Sequence, residues 1–187
     1  MSKTFRMYLS FFSSALLASG SMAIVFFFSA TFIHALPMRV QAYALWLPVP
    51  FFFIAGVLVG WGCSGGWIGI ATFALSALLP GFYVPTAMMG TQGAAGDIDL
   101  LVLTVGVPSA TYLITGCLGG FASFRTLRGA LAVGLGFAAG AMLGPGIAWI
   151  ARPWTETVRL PLSMAVWGLP WIGGFLGAGW VARKRRI

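Results

Sequence analysis

The residues that come nearest to a catalytic motif are GCSGG at positions 62–66, between two apolar stretches. They fit G-x-S-x-G, the strand–turn–helix motif that presents a nucleophilic serine in hydrolases. Both flanks here are apolar and helix-like, and His34 is the single histidine that could serve as the base. The topology derived below puts Ser64 and His34 at opposite membrane boundaries, about 30 Å apart. The sequence therefore predicts a glycine-rich turn and no enzyme.

Side chains that bind metals or relay protons are scarce. Cys63 and Cys117 stand alone in apolar surroundings, and they form neither a disulfide framework nor a metal motif. One histidine cannot supply a bis-histidine haem, and no carboxylate interrupts an apolar run. Intramembrane ionisable groups are the usual carriers of proton-coupled or metal-coupled transport. We therefore expect no metal site, no cofactor and no such coupling by this chain alone.

The composition indicates a membrane protein. Of 187 residues, 59% are hydrophobic and 7% are charged, whereas a soluble domain carries roughly 25% charged residues. An apolar run of about 20 residues is enough to span a bilayer as a helix. The sequence predicts an all-α integral membrane protein with one six-helix transmembrane domain over residues 1–187.

Six apolar segments are the predicted transmembrane helices. They cover about residues 8–36, 42–62, 67–79, 99–123, 128–151 and 162–182. Pro80 and Gly81, with Pro85 beyond them, are expected to break the third helix. Pro108 is expected to interrupt the fourth helix. Residues 82–98 and 152–161 are long enough to form loops with a function of their own.

The basic residues predict the orientation. If the N-terminus is cytoplasmic, eight basic residues lie inside; these are Lys3, Arg6, Arg125, Arg128, Arg183, Lys184, Arg185 and Arg186. Three basic residues and all three acidic residues then lie outside; these are Arg39, Arg152, Arg159, Asp97, Asp99 and Glu156. Multi-pass proteins show this excess of positive charge on the cytoplasmic side. Both termini are therefore predicted to be cytoplasmic, with the two long loops outside.

A line of small residues runs along the fifth predicted helix. It consists of Ala132, Gly136, Gly140, Gly144 and Ala148. The spacing of four places all five residues on one helical face. Membrane helices associate by close backbone packing over such faces. The line predicts a packing surface for neighbouring helices.

Four stretches share features with one family of membrane proteins. Residues 47–69 combine a Pro-Val start, an A-G-x-x-x-G helix and a glycine turn, and residues 78–85 read LLPGFYVP. Residues 108–113 (PSATYL) are similar to Pro-Thr-Gly-Gly-Tyr-Leu, and residues 168–178 (GLPWIGGFLGA) to G-x-L-P-F-x-x-G-D-x-x-K-A. Together they resemble the biotin-uptake S components, the BioY family, of energy-coupling-factor (ECF) transporters. The resemblance covers about residues 42–182.

Two positions depart from the last of these motifs. Gly174 and Gly177 stand where the family has an Asp and a Lys that are associated with its ligand site. A biotin carboxylate and ureido ring need polar partners, which glycine side chains do not supply. Tyr112 is the polar side chain of the motifs that carries over. The scaffold is expected to persist while the ligand has changed or been lost.

The resemblance implies a substrate-binding subunit in a bacterial cytoplasmic (inner) membrane, with biotin or a related small molecule as ligand. Loops 82–98 and 152–161 would close over the ligand near the outer surface. The candidate lining residues are Tyr112, Ser109, Gln92 and Trp171. The polar side chains would orient the ligand, and Trp171 would cover its apolar face.

Uptake would need other subunits, because the chain has no P-loop and cannot hydrolyse ATP. The resemblance implies a membrane coupling subunit and ATPase subunits; the lipid bilayer is the other partner, and no nucleic acid is expected. A small-residue patch on helix 1 makes the coupling contact in the family. The corresponding line here is Ala15, Ser19 and Ala23.

The competing interpretation is a non-catalytic structural or assembly subunit of a larger membrane complex. It accounts for the scarce charges, the glycine faces and the many aromatic residues without a ligand. Replacement of the family's Asp and Lys by Gly174 and Gly177 favours it. The sequence leaves both interpretations open.

Overall fold

A computed structural model describes residues 2–32, 46–63, 66–83, 102–150 and 166–184. These ranges are helical apart from short turns and contain no strand. The helices are α1 Lys3–Phe32, α2 Pro48–Gly62, α3 Gly66–Ser76, α4 Val107–Phe124, α5 Leu127–Ile150 and α6 Leu169–Lys184. The all-α prediction is therefore confirmed for the described residues.

Short helical segments precede or follow three of these elements. A π-helical segment, Val102–Gly106, leads into α4, and a 3₁₀ turn, Val166–Gly168, leads into α6. Residues 78–83 continue α3 after a turn at Ala77. Pro108 lies in the first turn of α4, where a residue without an N–H is tolerated. The interruption predicted at Pro108 corresponds to this change from a π-helix to a regular α-helix, which begins at Val107.

Four helical stretches of the described chain are long and apolar enough to cross a membrane. They are Lys3–Val25, Gly66–Tyr83, Thr104–Phe124 and Leu127–Gly144. The helix α2 is also apolar but shorter, with 15 residues. These lengths and compositions fit a multi-pass membrane protein.

The six helices of the described residues form a closed ring in chain order. Each helix packs against the next, and α6 returns to pack against α1. Neighbours run antiparallel. Gly62, at the end of α2, lies beside Ser10 near the start of α1, and Gly69, at the start of α3, lies beside Ser123 at the end of α4. Consequently α1, α3 and α5 begin at the same end of the ring, where α2, α4 and α6 end.

The predicted small-residue line of α5 lies against α6. A Cβ at Gly136 would overlap the Gly173 carbonyl, and a Cβ at Gly140 would overlap the Leu169 carbonyl. Ala132 meets Gly177 one turn earlier in α5. The two backbones therefore approach as only small residues allow. Gly144 is buried one turn further on, whereas the side-chain surroundings of Ala148 lie outside what the structure describes.

Hydroxyl groups connect neighbouring helices to each other. The Ser14 hydroxyl of α1 donates a hydrogen bond to the Ala55 carbonyl of α2 at 2.9 Å. The Thr115 hydroxyl of α4 donates to the Ser76 carbonyl of α3 at 2.8 Å. Both pairs are buried. In an apolar interior, such bonds contribute about 0.6 kcal/mol each on average and add geometric specificity.

The break predicted at Pro80 and Gly81 lies one turn earlier in the structure, since the regular α-helix ends at Ser76 with a turn at Ala77. Residues 78–83 are helical again through Pro80, and the Gly81 N–H donates to the Ala77 carbonyl at 3.3 Å. Pro80 has no N–H to offer the Ser76 carbonyl, four residues earlier, and that is the carbonyl that accepts the Thr115 hydroxyl. A side chain from α4 therefore supplies the missing donor, which is how membrane helices tolerate an internal proline.

Candidate functional site

An aromatic cluster fills the interior of the ring, with one member from each helix. Its members, called the aromatic core below, are Phe11, Phe52, Phe73, Tyr112, Phe137 and Trp171. Every one of these side chains is less than 2% exposed. Large buried rings make the greatest single contributions to packing in a helical interior. The six helices are therefore held around a common centre.

Phe137 of α5 lies at the middle of the aromatic core. Its ring is stacked on Tyr112 with centroids 6.0 Å apart and an interplanar angle of 13°. Trp171 meets Phe137 edge-on at 5.2 Å, and Phe11 and Phe73 approach it at 6.2 Å and 6.5 Å. Stacked and edge-to-face geometries are the favourable ones for aromatic pairs.

Gly174 and Gly177, the two departures from the BioY motif, have a packing explanation. A Cβ at Gly174 would overlap the Phe137 ring, and a Cβ at Gly177 would overlap the Ala132 carbonyl. The space in which an Asp and a Lys side chain would start is therefore occupied by α5. With these contacts, the ring cannot accept the two charged residues of the family motif without moving α5.

Three of the four predicted ligand-site residues are buried near one another. Tyr112 and Trp171 are in edge-to-face contact, with centroids 6.2 Å apart at 89°. Ser109 lies one turn before Tyr112 on the same face of α4 and is 5% exposed. Gln92 lies outside the described residues. We call Ser109, Tyr112 and Trp171 the polar trio.

The polar trio carries buried hydrogen-bonding atoms that are not satisfied. The Ser109 Oγ, Tyr112 Oη and Trp171 Nε1 atoms have no hydrogen-bond partner among the described residues. The Trp171 N–H is near enough to the Tyr112 hydroxyl to interact with it, but not with the geometry of a hydrogen bond. Buried polar atoms are normally paired, so an unpaired group indicates a missing partner.

The polar trio belongs to one end of the ring. Ser109 and Tyr112 lie in the first two turns of α4, and Trp171 lies in the first turn of α6. This is the end at which α2, α4 and α6 begin. Loops 82–98 and 152–161, the predicted covers of a ligand, fall outside the described residues apart from positions 82 and 83.

The chemistry available at the polar trio is binding. Two hydroxyl groups and one indole N–H can donate hydrogen bonds, and the neighbouring rings offer apolar faces. The described ranges contain no group of three metal-ligating His, Cys, Asp or Glu side chains. Ser64 and His34, the residues of the serine motif, lie outside the described residues. The site therefore suits a small molecule that presents hydrogen-bond acceptors on a flat or apolar body.

The small-residue line of α1 faces the start of α6. Ala15 is buried, and the Ser19 hydroxyl would lie 2.9 Å from a Cβ at Gly168. Ser19 and Ala23 keep part of their surface exposed. The outer face of α1 carries large apolar residues instead, including Tyr8, Leu9, Phe12 and Leu16. The contact with a coupling subunit stays a prediction.

The aromatic core was not identified from the sequence. The chain has 16 Phe, 8 Trp and 4 Tyr residues, and most helices carry several of them. The small residue that makes room for an inward-facing ring lies on a neighbouring helix, as Gly119 of α4 does for Phe73 of α3. Spacing along one helix therefore does not show which aromatic residues point to the centre of the ring.

Comparison with known proteins gives no match to a protein-family model, to a curated protein or to a solved structure. The class of protein is therefore defined by its fold and its candidate site alone. The described chain is an all-α bundle with four helices of membrane-spanning length, closed around a buried aromatic core.

Proposed function

We propose that the chain crosses a bacterial cytoplasmic membrane six times, with both termini in the cytoplasm. The basic residues support this arrangement, because all those in the described ranges fall at one end of the ring; they are Lys3, Arg6, Arg125, Arg128, Arg183 and Lys184. Arg6 lies over Trp61 at 5.5 Å, and Arg128 lies over Trp180 at 4.3 Å. Arginine and tryptophan are typical of the membrane interface. We call this the basic end.

We further propose that the protein is the substrate-binding subunit, or S component, of an ECF-type uptake transporter for biotin or a related small molecule. The observation that carries this proposal is the polar trio at the end opposite the basic end, whose three buried donor-capable groups have no hydrogen-bond partner among the described residues. A bound ligand would supply the missing acceptors. The motif resemblance at residues 108–113 and 168–178 supports the same assignment.

In this function, each residue of the site has a distinct role. Tyr112 and Ser109 donate hydrogen bonds that orient the ligand, and Trp171 covers its apolar face. Gln92, from loop 82–98, adds a polar group from the outer side. Energy comes from elsewhere, so a membrane coupling subunit and ATPase subunits are required. We place the coupling contact on α1, through the part of the Ala15, Ser19 and Ala23 line that remains exposed.

The test is equilibrium binding of labelled biotin to the full-length protein purified in detergent. Tyr112→Phe removes only the hydroxyl, so binding should weaken roughly tenfold, the usual effect of one lost hydrogen bond in a buried site. Tyr8→Phe is the matched control, because Tyr8 is 51% exposed on α1; its affinity should be unchanged. A well-folded sample that does not bind biotin would refute biotin as the ligand.

A second function is favoured by the packing of the ring. The Phe137 ring fills the space beside Gly174, so this part of the interior is closed without a ligand. Such a bundle suits a non-catalytic structural or assembly subunit of a larger membrane complex. In that case, biotin does not bind, and a large membrane complex co-purifies with the protein in place of a coupling subunit and ATPases.

A further inference from the structure

A groove of about 410 Å³ opens between the start of α1 and the end of α6. It lies at the basic end, far from the polar trio. The lining residues that matter here are Thr4, Met7, Leu176, Gly179, Trp180 and Arg183. Gly179 contributes no side chain to the wall of the groove, and a Cβ there would meet only the tip of Met7, at 3.9 Å.

The groove is apolar at one end and cationic at the other. Leu176, Gly179 and Arg183 succeed one another at intervals of three and four residues, so they follow one face of α6. At a rise of 1.5 Å per residue, Leu176 and Arg183 are about 10 Å apart along the helix axis. Leu176 is 65% exposed and lies further from the basic end than Arg183 does. The groove thus has a positive charge at the end of α6 and, two turns earlier in that helix, an apolar surface that suits an acyl chain.

The charge at the groove is not balanced within the described chain. No Asp or Glu occurs in the described ranges, and Arg183 is followed by Lys184, Arg185 and Arg186 in the sequence. The Arg128 guanidinium lies 4.3 Å from the centre of the Trp180 ring, which holds this wall of the groove in place and adds positive charge behind it. An occupant with a negative charge at the interface is therefore favoured.

We propose that this groove binds one anionic phospholipid of the leaflet in which the basic end lies. The Arg183 guanidinium and the Thr4 hydroxyl contact the phosphate, and an acyl chain lies along Met7, Gly179 and Leu176. The inference requires that the basic end lies at the level of the lipid head groups. It does not depend on biotin or on any other ligand of the polar trio.

The experiment measures the affinity of the first bound lipid by native mass spectrometry of the full-length protein in detergent. The probes are dioleoyl phosphatidylglycerol, which is anionic, and dioleoyl phosphatidylcholine, which has the same acyl chains and no net charge. Phosphatidylglycerol should bind about fivefold tighter or more, as expected for one basic side chain at an anionic head group. Glycerol phosphate, the head group without chains, should not compete at equal concentration.

Two variants test the cationic end and the apolar part of the groove separately. Arg183→Gln should reduce the affinity for phosphatidylglycerol to roughly that for phosphatidylcholine. Gly179→Leu fills the groove beside an intact Arg183 and should weaken binding of both lipids. Arg125→Gln is the matched control, because Arg125 is an exposed basic residue of the same end and does not line the groove; it should leave the affinity within twofold.

Three results would overturn the site. Equal affinity for the two lipids would show that the groove does not select an anionic head group. Equal losses in the Arg183→Gln and Arg125→Gln variants would show attraction to the whole basic end instead of a groove. Unchanged binding by Gly179→Leu would show that no chain occupies the groove. Biotin binding is measured separately, so a failure here leaves the transport proposal unaffected.

Discussion

Gly174 and Gly20 show how differently two glycines of the same chain are used. A Cβ at Gly174 would overlap the Phe137 ring, whereas a Cβ at Gly20 would meet nothing within 4 Å. The sequence identified Gly174 as a departure from a family motif but did not explain it. The explanation depends on Phe137, which lies on another helix and was one aromatic residue among many. The sequence motif therefore identified Gly174, whereas its contact with Phe137 is visible only in the fold.

We expect Gly174→Ala to destabilise the protein by about 1–3 kcal/mol, the usual effect of adding a methyl group to a filled core. Gly20→Ala is the control in α1, and it should be neutral or slightly stabilising because alanine forms helices better than glycine. The measurement is the free energy of unfolding of both variants in one detergent. Equal stability of the two would mean that Phe137 does not lie against Gly174.

The helix α3 shows the same contrast between what the sequence neighbours of a residue predict and what a contact from another helix adds. Pro80 predicts a break when only its neighbours in sequence are considered. After the turn at Ala77 the chain is helical through Pro80, and the Thr115 hydroxyl of α4 bonds to the Ser76 carbonyl, for which Pro80 has no N–H. The all-α class and the four helical stretches of membrane-spanning length among the described residues could be predicted from apolar runs, since length and hydrophobicity are local properties. The helical conformation at Pro80 could not be predicted in this way, because the hydroxyl that donates to the Ser76 carbonyl is on α4.

Thr115→Val should destabilise the protein by roughly 1–2 kcal/mol, since it leaves the buried Ser76 carbonyl without this donor. Thr111→Val is the matched control, because among the described residues its hydroxyl bonds to the Pro108 carbonyl of its own helix and to no other helix; it should change stability by less than about 0.5 kcal/mol. Unfolding free energies in detergent would distinguish the two variants.

A double-mutant cycle tests the role of Pro80 in that result. In the Pro80→Ala background, the backbone N–H that the substitution restores can reach the Ser76 carbonyl and complete the helix. Thr115→Val should then lose most of its effect, with a coupling energy of about 1 kcal/mol between the two positions. Additive effects would show that the Thr115 hydroxyl stabilises α4 against α3 for a reason unrelated to the proline.

At the level of the whole molecule, the closed antiparallel ring places every charged residue of the described ranges at one end. The charge distribution predicted this grouping from sequence, because positive-inside bias is a property of loop composition. Ring closure by α1 and α6 was not predicted, since it depends on contacts between the two ends of the chain, such as that of Ala15 with Gly168. The orientation of the ring in the membrane stays a prediction.

Reporter fusions test that orientation on the intact chain. A green fluorescent protein fused after Ile187 should fluoresce, and alkaline phosphatase at the same position should be inactive, because both termini are predicted to be cytoplasmic. Phosphatase fused after Gly90, beyond three predicted spans, should be active, and phosphatase fused after Thr126, beyond four, should be inactive. The antiparallel ring links these results, since a helix cannot reverse without losing both of its neighbours.

An active phosphatase after Ile187 together with an inactive one after Gly90 would show that the molecule has the opposite orientation, with the polar trio on the cytoplasmic side. In that orientation, the trio could not receive a ligand from outside, and uptake would be excluded as its function.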